Sequence, residues 1–252
     1  MDTRTRWPAF TTAWTSRNTT ERGRRLNSIL TSKWTKVCVF LLCLVPFGSL
    51  IWRCVHPLLQ GLPFDTYLTA NPIEFLTHAT GDWTLRFVII TLAISPLRKI
   101  HGLHGLIRFR RMLGLFAFFY GCLHFSMWIG IDKFFDWTEM WKDVQKRRFI
   151  TVGFTGYVLM IPLAVTSTAG WIRRLGGRRW QMLHRAIYLT AILGVIHYYW
   201  LVKSDVRKPL QYAAIVGALL VWRFGAWIYA RSRRQPESGA PHGDEITTAE
   251  TA

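Results

Sequence analysis

Long apolar runs separated by polar stretches rich in Arg and Lys set the pattern of this chain. The runs are Trp34 to Trp52, Trp83 to Leu97, Met112 to Ile131, Phe149 to Ser167, Trp180 to Val202 and Leu210 to Tyr229. A helix of about 20 residues, rising about 1.5 Å per residue, crosses the hydrocarbon layer of a bilayer, so each run predicts a membrane-spanning helix. The second run is short and holds Arg86, and the preceding PIEFLTHATG, from Pro72, is expected to lengthen it through the headgroup region. The expected fold is all-α: a polytopic membrane protein whose residues 34–229 form a six-transmembrane-helix bundle with both termini on one side. Residues 1–33, rich in Ser, Thr and Arg, and residues 230–252, polar with Gly and Pro, are expected to be disordered tails. Before Val37 there is no apolar stretch of the kind a cleavable secretory signal needs.

Loop charge orients the bundle. The N-terminal tail, the segments with Arg98, Lys99, Arg108, Arg110 and Arg111 and with Arg173, Arg174, Arg178 and Arg179, and the tail beginning with Arg231, Arg233 and Arg234 are strongly basic. They are expected on the cytoplasmic side of a bacterial inner membrane. Residues 53–82 and 132–148, with few or balanced basic residues, are expected outside, while the short 203–209 loop is mildly basic. Within the outer loop, Phe134, Trp137, Trp141 and Val144 recur at helical spacing with charges opposite. That pattern predicts an amphipathic helix in the membrane interface, anchored in lipid or docking an outer partner.

Composition agrees with this picture. Half of the 252 residues are hydrophobic, with 13 Trp and 16 Phe. The formal charge of +18 falls in clusters between apolar runs, which points to lipid-facing loops and away from nucleic acid. Four cysteines, Cys38, Cys43, Cys54 and Cys122, show no CxxC or CxxCH spacing, so any haem is held without covalent attachment. They read as small buried hydrophobes.

The chemistry lies in histidines. His124 follows Arg111 by thirteen residues, and His197 follows His184 by the same number. If the third and fifth spans run the same way, His124 and His197 reach a common depth near the outer face, where two imidazoles can hold one metal between helices. Ionisable groups inside spans are costly and mark function, and the metal that fits this pair is haem iron. His184 sits near the inner face, and in one continuous helix it would lie about 140° round the axis from His197, which disfavours a second haem stacked below the first. Its counterparts on the third span are Arg110 and Arg111, which suit a phosphate or an anionic ring and cannot ligate iron. A flavin or quinone headgroup is therefore expected there, or haem with an unusual partner, against the plainer reading of His184 at the membrane edge with the arginines on lipid phosphates. Arg86 could pair with a haem propionate or snorkel to the outer interface. His78 reads as a surface residue or a ligand contact, His101 and His104 form a weak i, i+3 pair, and His56 and His242 carry no signal.

Three strings carry a resemblance: RRMLGLFAFFYGCLH (residues 110–124), TSTAGWIRRLGGRRWQMLHRAIYL (166–189) and IHYYWLVKSD (196–205). Over roughly Val37 to Arg223 the chain resembles the haem-binding membrane subunits of periplasmic protein-methionine-sulfoxide reductase systems, relatives of the ferric reductase and NADPH oxidase transmembrane domains. The resemblance implies a six-helix b-type cytochrome passing quinol electrons to a periplasmic molybdopterin-containing reductase that repairs oxidised proteins. It also implies haem-associated roles for His124, His184 and His197, and flavin mononucleotide (FMN) as a second cofactor. Unlike the oxidases, this sequence shows no G-x-G-x-x-G and no flavin or nicotinamide domain after the last span, so electrons are expected from another molecule. Two other readings compete, a stand-alone transmembrane ferric or quinone reductase and a non-redox transporter or scaffold, and haem absorbance separates the latter.

Overall fold

The computed structural model describes residue 23 and residues 25–63, 66–202 and 204–232. Among them there are helices and connecting turns, and no strand. The helices are α1 (Lys33–Gln60), α2 (Pro72–His101), α3 (Ile107–Ser126), α4 (Trp137–Lys146), α5 (Arg148–Val165), α6 (Ala169–Leu183), α7 (Ala186–Leu201) and α8 (Arg207–Ser232). Their ends follow local chemistry. Asn71 caps α2 by accepting the Glu74 N–H, with Pro72 at the first helical position, and Gly102, at φ 64°, stops it in the left-handed region.

The expected spans correspond to α1, α2, α3, α5, α7 and α8. Of these, α1, α3 with its flanking turns, α5 and α8 are long and apolar enough to cross a membrane. α7 is apolar but only 16 residues long, and α2, at 30 residues, carries Asp82 and Arg86 in its middle. The packing shows what surrounds the bundle: α8 buries only Pro209 and Val216 and turns Leu210, Ile215, Val221, Phe224 and Trp227 outward. So large an apolar surface is tolerated in lipid and not in water, and the chain is a polytopic helical membrane protein.

Two expectations change, and a third gains detail. The run from Trp180 to Val202 is two helices, because α6 ends at Leu183 and His184 and Arg185 form a turn before α7. Trp180 donates from Nε1 to the Thr166 carbonyl at 2.9 Å and His184 pairs with the Thr166 hydroxyl at 3.0 Å, so both fold back onto the end of α5. His184 and His197 therefore do not share one rod, and the 140° offset does not apply. Next, residues 25–31, expected in a disordered tail, are helical. Asn27 donates to the Gly102 carbonyl and accepts the Gly105 N–H, and Arg108 reaches the Thr31 carbonyl. The rest of the expected tails, residues 1–22 and 233–252, lies outside the described residues. Lastly, α4 turns Met140 and Asp143 inward, with Asp143 paired to Lys133 at 2.5 Å and Arg147 at 3.4 Å, whereas Trp137 and Trp141 face outward.

The closest-packed neighbours are α2 with α3 and α5 with α7. Their core includes Leu92, Ala117, Tyr120 and Ala191, all fully buried. α1 is joined to the bundle by a side chain inserted into its own ladder. The Tyr120 hydroxyl accepts the Phe47 N–H at 3.0 Å and donates to the Cys43 carbonyl at 2.8 Å, so it stands between two groups that an unbroken helix would bond directly.

Charge is segregated along the bundle. Every Asp and Glu among the described residues (Glu74, Asp82, Asp132, Asp136, Glu139, Asp143 and Asp205) belongs to the half where α2 begins and α3 and α7 end. The opposite half holds Arg98, Lys99, Arg110, Arg173, Arg178 and their neighbours with no acidic side chain among the described residues.

Candidate functional site

His124 on α3 and His197 on α7 are brought together, with ring centres 6.1 Å apart and ring planes at 77°. Each ring is anchored the same way. His124 Nδ1 donates to the Thr77 carbonyl of α2 at 2.9 Å, and His197 Nδ1 to the Phe149 carbonyl of α5 at 2.6 Å. A ring that donates from Nδ1 in its neutral form keeps an unprotonated Nε2, the nitrogen free to bind a metal, and a backbone carbonyl as outer partner is the usual way such a ligand is oriented.

Both rings lie across glycines four residues beyond those carbonyls. A Cβ built on Gly81 would fall 3.0 Å from His124 Cε1, and one on Gly153 would fall 2.5 Å from His197 Nδ1. Only glycine lets the rings sit this close to the neighbouring helices. Around the pair is a cavity of about 630 Å³, walled by Gly81, Leu85, Gly153, Tyr157 and Tyr198, with Glu74, Asp132 and Arg147 on its lining.

A site with two histidines is short of ligands for a bare transition metal, and no cluster of three or more His, Cys, Asp or Glu suited to a metal ion occurs among the described residues. The arrangement fits a metal whose remaining ligands arrive in a planar macrocycle. His124 and His197, with ring centres 6.1 Å apart on one cavity wall, would hold such a group through Nε2.

The other expected site residues are placed differently. His184 is not on the cavity wall. It stacks on Trp180 with ring centres 4.0 Å apart, and because the Thr166 hydroxyl already donates to Pro162, the His184 Nε2 must be the donor to Thr166. Arg110 lies close enough to act electrostatically on His184, while Arg111 is exposed, so the structure separates these two arginines. Arg86 is also off the cavity wall: its anion is Asp82 at 3.4 Å, its Nε donates to the Tyr212 hydroxyl at 3.0 Å, and its guanidinium lies 4.7 Å from the Trp83 ring. The charge in the middle of α2 thus has an anion a single helical turn away, supplied by the chain itself. His78 does line the cavity, and His101 and His104 are exposed.

Sequence reading missed Gly81, Gly153 and the carbonyls of Thr77 and Phe149. It also missed Arg223, which donates to the Leu92 carbonyl at 2.9 Å and to the Tyr188 hydroxyl. A glycine in mid-span is the one signal that could have found the first two.

A helical membrane bundle with facing histidines on two of its helices defines a class, and the family model of the ferric reductase like transmembrane component matches residues 80–195, which hold Gly81, His124, Gly153 and His184. Finer similarity runs further along the chain. The chain is 52% identical to the protein-methionine-sulfoxide reductase heme-binding subunit MsrQ of Herminiimonas arsenicoxydans over 195 residues, 76% of this chain and 85% of that protein. It is 48% identical to the MsrQ of Ralstonia nicotianae over 81% of this chain and 90% of that protein, and 48% identical to the MsrQ of Caulobacter vibrioides over 73% and 84%. The chain belongs to the MsrQ family.

Proposed function

We propose that the chain is the b-type cytochrome membrane subunit of a methionine-sulfoxide reductase system, taking quinol electrons across the bacterial inner membrane to a periplasmic molybdopterin-containing reductase. The observation that carries this reading is the His124–His197 pair, each ring fastened through Nδ1 with Nε2 left free beside an apolar cavity. The relatives are named as heme-binding subunits of that system, which supports both the cofactor and the kind of partner. Haem, bound there, supplies a one-electron relay.

The protein's own residues do the rest. Thr77 and Phe149 fix the tautomer and direction of the two rings, Gly81 and Gly153 give them room, and Leu85 and Tyr157 help wall the cavity. The basic half, which has no acidic side chain among the described residues, is the cytoplasmic side under the positive-inside rule, and the histidine pair then lies toward the periplasm with both termini inside. At the basic end, His184 with Arg110 forms a second site for FMN or a quinone headgroup. The arginine brings a permanent charge and donors only, and His184 Nε2 is committed to Thr166.

Haem content of purified protein, measured as the pyridine haemochrome, tests the reading. Wild type is expected to bind haem, and His124→Ala and His197→Ala are each expected to lose it. Unchanged haem in both variants overturns the assignment. For the inner site, Arg110→Gln is expected to lower flavin content or quinol-driven haem reduction while leaving dithionite reduction intact. Loss of haem with flavin and quinol kinetics retained refutes that part.

A further inference from the structure

The histidine pair has a charged neighbour with its own hydrogen-bonded support. Asp82 and Tyr198 line the cavity, whereas Arg86 does not. Arg86 holds Asp82 at 3.4 Å from one side, and is itself tied to the Tyr212 hydroxyl at 3.0 Å and laid over Trp83. From the other side Tyr198, whose ring centre lies 6.0 Å from that of Tyr212, is near enough to act on Asp82 electrostatically. One carboxylate of α2 thus stands at the wall, next in sequence to the Gly81 that lies against His124, with α7 beside it through Tyr198 and α8 reaching it only through Arg86.

The other charged side chains on that lining, Glu74, Asp132 and Arg147, are exposed, so water and salt screen them. Asp82 is only 20% exposed, and the guanidinium that partly balances it stands off the wall. A charge in such a place is felt several times more strongly than one in water.

We propose that Asp82, supported by Arg86 and Tyr198, sets the reduction potential of the group held between His124 and His197. This rests on the haem reading given above. One-electron reduction lowers the charge of the bound iron centre by one. A carboxylate at the wall favours the more positive, oxidised state and so lowers the potential, while Arg86 tempers the effect by drawing part of that field to itself. The result is a centre that gives its electron up readily.

The test is a potentiometric titration of purified protein, after haem content has been measured for each variant. Asp82→Asn is expected to keep its haem and absorption spectrum and to shift the midpoint upward, Asp82→Glu to stay near wild type, and Arg86→Gln to shift downward at alkaline pH, where the carboxylate stays ionised. A fully loaded Asp82→Asn at the wild-type potential overturns the proposal, and so does a shift of the same sign in Asp82→Asn and Arg86→Gln. If Asp82→Asn fails to accumulate, Arg86→Gln decides alone, since a midpoint unchanged or raised there is a refutation. Wild-type protein purified without haem overturns the haem reading and this proposal with it, whereas loaded variants at unchanged potential overturn this proposal only.

Discussion

Gly153→Ala places one methyl group where the site has no room for it. The new Cβ would lie 2.5 Å from His197 Nδ1, 2.7 Å from Cε1 and 3.0 Å from Cγ. Ordinary contact between such atoms begins near about 3.5 Å, so the ring must retreat by about 1 Å. It is not a free side-chain end, because Nδ1 is bonded to the Phe149 carbonyl at 2.6 Å, and a retreat of that size stretches the bond past useful length. Overpacking of this kind costs about 1–3 kcal/mol, set against about 1 kcal/mol gained when alanine replaces glycine within a helix. Global stability should therefore fall by no more than about 2 kcal/mol, while loss of the outer-shell bond to a metal ligand lowers affinity about 10- to 100-fold. Gly81→Ala, with its nearest contact at 3.0 Å, should be the milder of the two, and Gly217→Ala, which meets nothing within 4 Å, should be silent. Haem occupancy, and the rate of haem transfer to an excess of apomyoglobin, measured alongside thermal unfolding, rank the three. Gly153→Ala with wild-type haem retention would show that the ring is not held against α5 and would refute the reasoning.

Other outcomes follow from the same geometry. Tyr120→Phe removes the hydroxyl between the Phe47 N–H and the Cys43 carbonyl, and is expected to cost about 1–3 kcal/mol unless α1 closes its own bond; an unchanged unfolding temperature with α1 still docked would count against the bridge. Asp143→Asn should loosen α4 through loss of the Lys133 and Arg147 pairs, seen as faster hydrogen exchange over residues 137–146 with haem content kept, and unaltered exchange there would contradict it. Exposed Glu139, replaced by Cys, should be labelled from the periplasm, and exposed His104, replaced by Cys, should not; the reverse pattern would invert the orientation.

Much of the site could be read from spacing because depth in a membrane is a one-dimensional quantity. The thirteen-residue steps from Arg111 to His124 and from His184 to His197 led to the two rings that the structure brings together, although His184 lies beyond a helix break and its step was not along one rod. The break itself was not legible, since it depends on Thr166, eighteen residues earlier in sequence, accepting both Trp180 and His184. Arg86 was expected to pair with a haem propionate, whereas its anion in the structure is Asp82 one turn before it, an i, i+4 pair visible in any helical reading. Asn27 offered no hint, because its partners, Gly102 and Gly105, are recruited only when the chain has folded back on itself. Gly81 and Gly153 were passed over because a glycine in an apolar run has no periodic signature, and its value appears only against a neighbour's ring.

The matching arrangement of Thr77 with Gly81 and of Phe149 with Gly153 also bears on how the molecule is put together. In each case a carbonyl and a glycine one turn apart receive a single ring, so sliding α3 along α2, or α7 along α5, by even one residue would lose both contacts at once. Each pair thus carries its own register key. The α2–α3 hairpin is continuous in sequence and can engage as soon as its second helix enters the bilayer, and α5 with α7 can do the same later. Contacts across the seam between these halves are sparser than those within them. Biogenesis then amounts to joining two prefabricated halves, each already presenting one aimed imidazole, and whatever the cavity receives serves as the bolt between them.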